Sequence, residues 1–390
     1  MRNASKTLLG TKTDAGATTG LILPGGGARN AYQVGVLQAI VEWLAPNAAN
    51  PFPIICGTSA GAINAAMLAS YAGQPDLGIE RLVGIWSHLH PSKIYRVDTR
   101  SALLDGSRWL LALTSGGLLS RQPEALLDNR PLRNLLECHL RLVRVSQAVD
   151  NGALQALAIN SCGYSSGRSV CHFQAPTKYT SWQRSRRLGS ATELRIDHIM
   201  ASLALPLIFP AVYLNGEYHG DGSMRETAPL SPALHLGANR LLVITVRNST
   251  PSEMPISGSR VNYPSLGQIA GYVLDTLFRD NLTADSERLE RINQLLQYGR
   301  ESSPHDHPLR PVQLLTITPS QDIAAIAPRH IAHIPASVRF LLKTMGGGTD
   351  TNSALLTYLL FEEHFCRDLI GLGYEDAQHR QQELADYLAL

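Results

Sequence analysis

The chain has 390 residues, 44% of them hydrophobic and 17% charged, which is enough apolar material for one large domain or two modest ones. Lys plus Arg number 34 against 32 Asp plus Glu, and a formal charge of +2 offers no broad field to steer nucleic acid, so nucleic acid is not an expected partner. The first residues are small and polar and lack the apolar core of a secretory peptide, and no apolar run is long enough to span a bilayer, so a cytoplasmic chain with a mobile start over residues 1–18 is expected. The cysteines at 56, 138, 162, 171 and 366 form an odd set without the short paired spacing of a zinc site, and all are expected to be reduced.

In chain order, Thr19 to Leu23 is a short apolar strand that breaks into Pro24-Gly25-Gly26-Gly27, and helical spacing of Val34, Val36, Leu37, Ile40, Val41 and Leu44 predicts a helix after it. The pattern repeats with a strand over Pro53 to Cys56, a tight turn over Gly57-Thr58-Ser59-Ala60-Gly61, and a small-residue helix from Ala62 to Ser70. Two such units predict a parallel α/β sheet. Residues 74–150 read as mostly helical cover. Leu154 to Asn160, Val170 to Phe173, Ala211 to Tyr218, Leu241 to Val246 and Leu314 to Ile317 read as further strands. Tyr263 to Tyr298 carries a long helical pattern, and the remainder through Leu359, Phe361 and Leu369 reads as helical packing. Within the long pattern, Ile269 to Phe278 is amphipathic, with ordinary core packing the first reading and transient contact with a lipid surface the second.

Three segments carry chemistry. Gly57-Thr58-Ser59-Ala60-Gly61 has the spacing of a nucleophile elbow, in which Ser59 stands at the end of a strand against a helix N-terminus that stabilises a developing alkoxide. Its plainer reading is a helix start capped by Thr58 or Ser59. Gly25, Gly26, Gly27 and Ala28 open another helix and offer backbone N–H groups that could cradle an oxyanion. A dinucleotide loop fits less well, because Asn30 stands where a third glycine is needed and the nearest acid, Glu42, falls inside the helix. Asp221-Gly222-Ser223 would by itself be a turn.

Together these blocks resemble the patatin-like phospholipase family. The glycine block Gly25 to Arg29, the serine elbow, an apolar segment from Ala201-Ser202 through Ala204, Pro206, Phe209 and Pro210, and the Asp221-Gly222 block fall in the family's order between about Leu21 and Pro232. The resemblance implies a three-layer α/β/α fold with a mainly parallel central sheet, a catalytic domain over 19–250 and a mainly helical region over 251–390 packed on it. It also implies a Ser59–Asp221 dyad without a histidine base, metal or cofactor, an oxyanion hole from Gly25, Gly26, Gly27 and Ala28, and a lipid or acyl-ester substrate. Arg29 would orient the glycine loop or meet an anionic head group. Asn30 and Ser223 depart from the family pattern. The alternatives are a small-ester or thioester hydrolase and a non-catalytic lipid-binding module. His219, two positions before Asp221 and on the same face of a strand, is the rival base.

Overall fold

A computed structural model describes residues 17–46, 48–96, 125–247, 263, 266–299, 309–333, 339 and 354–390; nearly all of the start expected to be mobile, and part of the expected helical cover, lie outside them. The strands are β1 (Thr19–Leu23), β2 (Ile54–Thr58), β3 (Ala156–Gly163), β4 (Ser169–Gln174), β5 (Trp182–Arg184), β6 (Arg187–Ala191), β7 (Val212–Leu214), β8 (Glu217–Asp221), β9 (Arg240–Ile244) and β10 (Gln313–Ile317). They form one sheet in the order β10-β9-β1-β2-β3-β4-β6-β5, and β8 joins β3 as well as β7. From β10 to β3 every neighbouring pair is parallel. Antiparallel pairs lie beyond β3 and at the β7–β8 hairpin.

The inner parallel strands β1 and β2 are buried on both faces, which is why they read as continuous apolar runs. Leu21 and Leu23 of β1 point into the larger core, and Ile22 between them points into the smaller one. The larger core is covered by α1 (Ala31–Glu42), α2 (Ala60–Ser70), α3 (Pro75–Ser87), α4 (Arg130–His139) and α5 (Val143–Asp150), together with α11 (Glu363–His379) and α12 (Gln381–Leu388). On the other face lie α7 (Ser231–His235) and the long α8 (Leu266–Gly299), through Ala233 and Leu289. Shorter helices α6 (Ile196–Ser202), α9 (Ile323–Ile326) and α10 (Ala354–Leu359) complete the described elements. The architecture is three-layered, α/β/α, with a mostly parallel central sheet. Because β10 pairs β9, the sheet continues past residue 250.

Two sequence expectations change. Ala211 to Tyr218 is not one strand but the β7–β8 hairpin, since Asn215-Gly216 inside the run takes positive φ of 49° and 96°, the backbone that a two-residue hairpin turn requires. The β5–β6 pair was not expected, because Arg184, Arg187 and Gln183 make these outer strands polar. All five cysteines are unpaired. No helix among the described residues is long and apolar enough to cross a membrane.

The C-terminal part meets the rest of the chain through α11, which lies on α1. A Cβ on Gly35 would collide with the carbonyl of Ile370, and one on Gly373 with the carbonyl of Tyr32, so the two backbones touch. Tyr32 Oη donates to Asp376 at 2.9 Å across the same contact.

Gly373→Ala should therefore destabilise the protein by about 1–3 kcal/mol through overpacking. Gly371→Ala is the control: its Cβ meets nothing within 4 Å, so it should be neutral or gain up to ~1 kcal/mol from helix propensity. Urea unfolding of both variants measures the contrast, and equal effects would contradict the close contact.

Candidate active site

The site begins at one edge of β3. β2 runs along that edge up to Thr58, which pairs with Asn160. The next residue of β3, Ser161, pairs with Asp221 of β8 while its other side pairs with Val170 of β4. β8 therefore takes over the edge of β3 where β2 leaves it. Ser59 turns out of the sheet at this junction with φ 52° and ψ −130°, a positive φ that a non-glycine residue adopts only when its surroundings impose it, and α2 starts at Ala60. Ser59 occupies the N-cap position but its side chain makes no capping hydrogen bond, so the plain helix-start reading does not account for it.

The segment Ala201 to Pro210 holds both residues. Ser202 Oγ accepts from Ser59 N at 2.9 Å, and Ala204 O accepts from Asp221 N at 2.8 Å. Gly222 is needed where it stands, since a Cβ there would run into Asn160 O. The Asp221 carboxyl combines two roles. Oδ1 accepts from Ser223 N at 2.9 Å, as in an ordinary turn, while Oδ2 is buried without a regular hydrogen bond. Because position 223 contributes its backbone N–H to this contact, serine serves there as well as glycine or alanine would. Burial raises the pKa of Asp221 to about 6, opposed by the approach of the Ser59 side chain and by Ser223.

Sequence reasoning missed a second carboxylate. Glu226 turns its head inward, where it accepts from Thr58 Oγ1 at 2.8 Å and from Asn160 Nδ2. Burial raises its pKa to about 7; the Thr58 hydrogen bond opposes that, and the charge of Asp221 adds to it. Nothing in local spacing marks Glu226, because its partners sit on β2 and β3.

The glycine block lies beside the elbow. Gly27, at φ 60°, opens a 3₁₀ turn to Asn30, and as its first residues Gly27 and Ala28 find no acceptor for their N–H groups within the turn. Gly27 lines the cleft with Ser59, whereas Gly25, Gly26 and Ala28 are buried behind it. Asn30 supports the loop: its amide donates to Pro24 O at 2.8 Å and to Gln33 Oε1 at 3.0 Å, and Gln33 in turn donates to Ile244 O. Asn64 and Trp86 extend this buried chain of hydrogen bonds. Arg29 is buried, donates to Thr357 Oγ1 at 2.6 Å and stacks 4.2 Å from the Tyr358 ring centre. These contacts tether the glycine block to residues 357 and 358 of the C-terminal part.

His219 is buried, with Nδ1 2.9 Å from Ser161 Oγ and its ring packed against His172. Burial lowers its pKa, so it stays neutral. The imidazole is held inside a cluster with His172 and His198.

Ser59 opens onto an apolar cleft lined by Ile63, Ile94, Leu132, Leu205, Phe209 and Tyr358 among others. A second apolar space shares Ile63, Ile94, Leu132 and Phe361 with the first, and Trp86 and Leu140 line it further on. Together their lining side chains make an apolar track beside the serine.

Residues 21–234 match the family model of the patatin-like phospholipases. No curated protein matches the sequence. Among solved structures, human GIVD cytosolic phospholipase A2 in complex with methyl gamma-linolenyl fluorophosphonate is similar at 15% identity and a TM-score of 0.44, over 96% of this chain and 59% of that one.

Only an ionised Asp221 can take a proton from Ser59, and the carboxyl holds its own proton below about pH 6. The rate of fluorophosphonate labelling should thus rise as pH increases through about 6 and then level. Asp221→Asn should slow labelling at least ~100-fold and flatten the profile, while His219→Gln should stay within about tenfold of wild type. Labelling of the Asn variant at the wild-type rate would reduce Asp221 to a turn residue.

Proposed function

The chain belongs to the patatin-like phospholipase family, and on that premise we propose that it is a serine acyl-hydrolase of lipid esters, with Ser59 as nucleophile and Asp221 as base. The observation that carries this reading is the junction on β3, where an elbow serine held at positive φ meets a buried carboxylate with one oxygen unengaged. Ser59 Oγ attacks the ester carbonyl carbon as its proton passes to Asp221 Oδ2. The carbonyl oxygen gains the negative charge and is met by the N–H groups of Gly27 and Ala28, with Gly25 and Gly26 setting the loop behind them. Collapse expels the alcohol, which takes the proton from Asp221 and leaves an acyl-serine. Water then repeats the sequence on the acyl-enzyme, with Asp221 again the base.

Burial supplies what an aspartate base requires. In water its pKa of ~3.9 would leave it a weak acceptor, and desolvation brings it near neutrality. The apolar track supports a long acyl chain over a small ester, since each methylene buried along it is worth about 0.8 kcal/mol. On α8, Ile269, Tyr272 and Val273 are exposed, which supports contact with a lipid surface, while the side chains of Leu274, Leu277 and Phe278 lie outside the described residues.

Ser59→Ala should abolish hydrolysis, by at least ~1000-fold, with the fold intact by circular dichroism. Across nitrophenyl esters of increasing chain length, kcat/KM should rise roughly fourfold per methylene until the track is full. A flat chain-length profile with full dependence on Ser59 would favour a small-ester hydrolase. Activity of the Ala variant within tenfold of wild type would remove Ser59 from the reaction.

A further inference from the structure

Away from Ser59, the turn Ala327–His333 meets the start of α11 in a cluster of three histidines and two carboxylates. Asp368 Oδ2 lies 2.8 Å from His330 Nε2. A carboxylate only accepts, so Nε2 carries a proton, and Nδ1 is the nitrogen that can offer a lone pair to a metal ion. His330 is 7% exposed, and Nδ1 is buried without a hydrogen bond. It faces Glu362 Oε2 at 3.9 Å, beyond hydrogen-bond reach.

The carboxylate is also held in place. Glu362 Oε1 takes His364 Nδ1 at 2.6 Å, and Oε2 takes Phe365 N at 3.1 Å. His333, stacked 4.9 Å from His364 between ring centres, brings a third donor, and one ligand atom from each of His330, His333 and Glu362 lies within 4.8 Å of the others.

We propose that His330 Nδ1, Glu362 Oε2 and His333 bind one divalent transition-metal ion of the zinc type. Two imidazole nitrogens and one carboxylate suit zinc, whereas calcium and magnesium require oxygen ligands throughout. Bond lengths of ~2.0–2.2 Å require the exposed His333 to rotate inward and the 3.9 Å between His330 Nδ1 and Glu362 Oε2 to close by about half an ångström. Asp368 behind His330 fixes the tautomer that presents Nδ1 to the ion, a common device at histidine ligands. The ion ties the Ala327–His333 turn to Glu362, which ends the segment whose Tyr358, Leu359 and Phe361 line the Ser59 cleft. None of the three ligands lines that cleft, so the ion is a clamp on its wall and takes no part in acyl transfer.

The test uses the full chain, freed of any tag and treated with chelator, then titrated with zinc by calorimetry and with cobalt by visible absorption. One equivalent should bind, with a cobalt spectrum of nitrogen and oxygen ligation, and zinc should raise Tm. His333→Ala, at an exposed position, should lower zinc affinity at least ~100-fold and remove the Tm rise while the metal-free Tm stays at the wild-type value. Asp368→Asn should weaken binding about 10–100-fold, because an amide can donate to Nε2 and move the proton to Nδ1. Absence of stoichiometric zinc uptake, or wild-type affinity in both variants, overturns the site. Fluorophosphonate labelling of the metal-free protein reads the acyl-hydrolase proposal separately.

Discussion

The structure depends on one division of labour along β3. Its edge is shared by two strands from distant parts of the chain, β2 up to Thr58 and β8 from Asp221 back to His219. Backbone pairing sets the position of each along that edge, so the elbow and the aspartate meet with a register that no side chain has to enforce. The Ala201–Pro210 segment then ties both residues from the side, through Ser202 and Ala204. A shift of one residue in the β3–β8 pairing would turn Asp221 to the opposite face and leave Ser59 without a neighbouring carboxylate.

Burial at that junction sets the electrostatics. Asp221 and Glu226 are both pushed upward by loss of water, and the Asp221 charge adds to the effect on Glu226. On the far side, His172, His198 and His219 are pushed the other way, His172 to about 3. The same desolvation moves the carboxylates and the histidines in opposite directions, because in each it disfavours the charged form.

The C-terminal part is bound into the site as well as into the core. Arg29 reaches from the glycine block to Thr357 and Tyr358, and the Tyr358 backbone lies so close to Gly27 that a Cβ at that position would strike it. Tyr358, Leu359 and Phe361 supply part of the cleft wall. Residues far beyond the family-matched segment thus line the cleft beside Ser59.

The local blocks were legible in the sequence because each is defined by its own backbone: a strand into a glycine loop, a strand into a serine elbow, and an Asp-Gly pair after a strand. Those patterns yielded β1, β2, α1 and α2 and nominated Ser59, Asp221 and the block Gly25, Gly26, Gly27 and Ala28. The hairpin inside Ala211 to Tyr218 was legible too, in Asn215-Gly216, but alternating apolar residues on either side hid it. What spacing does not encode is which distant groups share a buried volume. Glu226 against Thr58 and Asn160, Arg29 against Thr357, and His330 against Glu362 and Asp368 are contacts between segments up to 328 positions apart. Sequence determined the short elements, whose conformations follow from a few neighbouring residues. Tertiary structure alone decided the pairings, the burial and hence the protonation states, because these arise only when the sheet closes and excludes water.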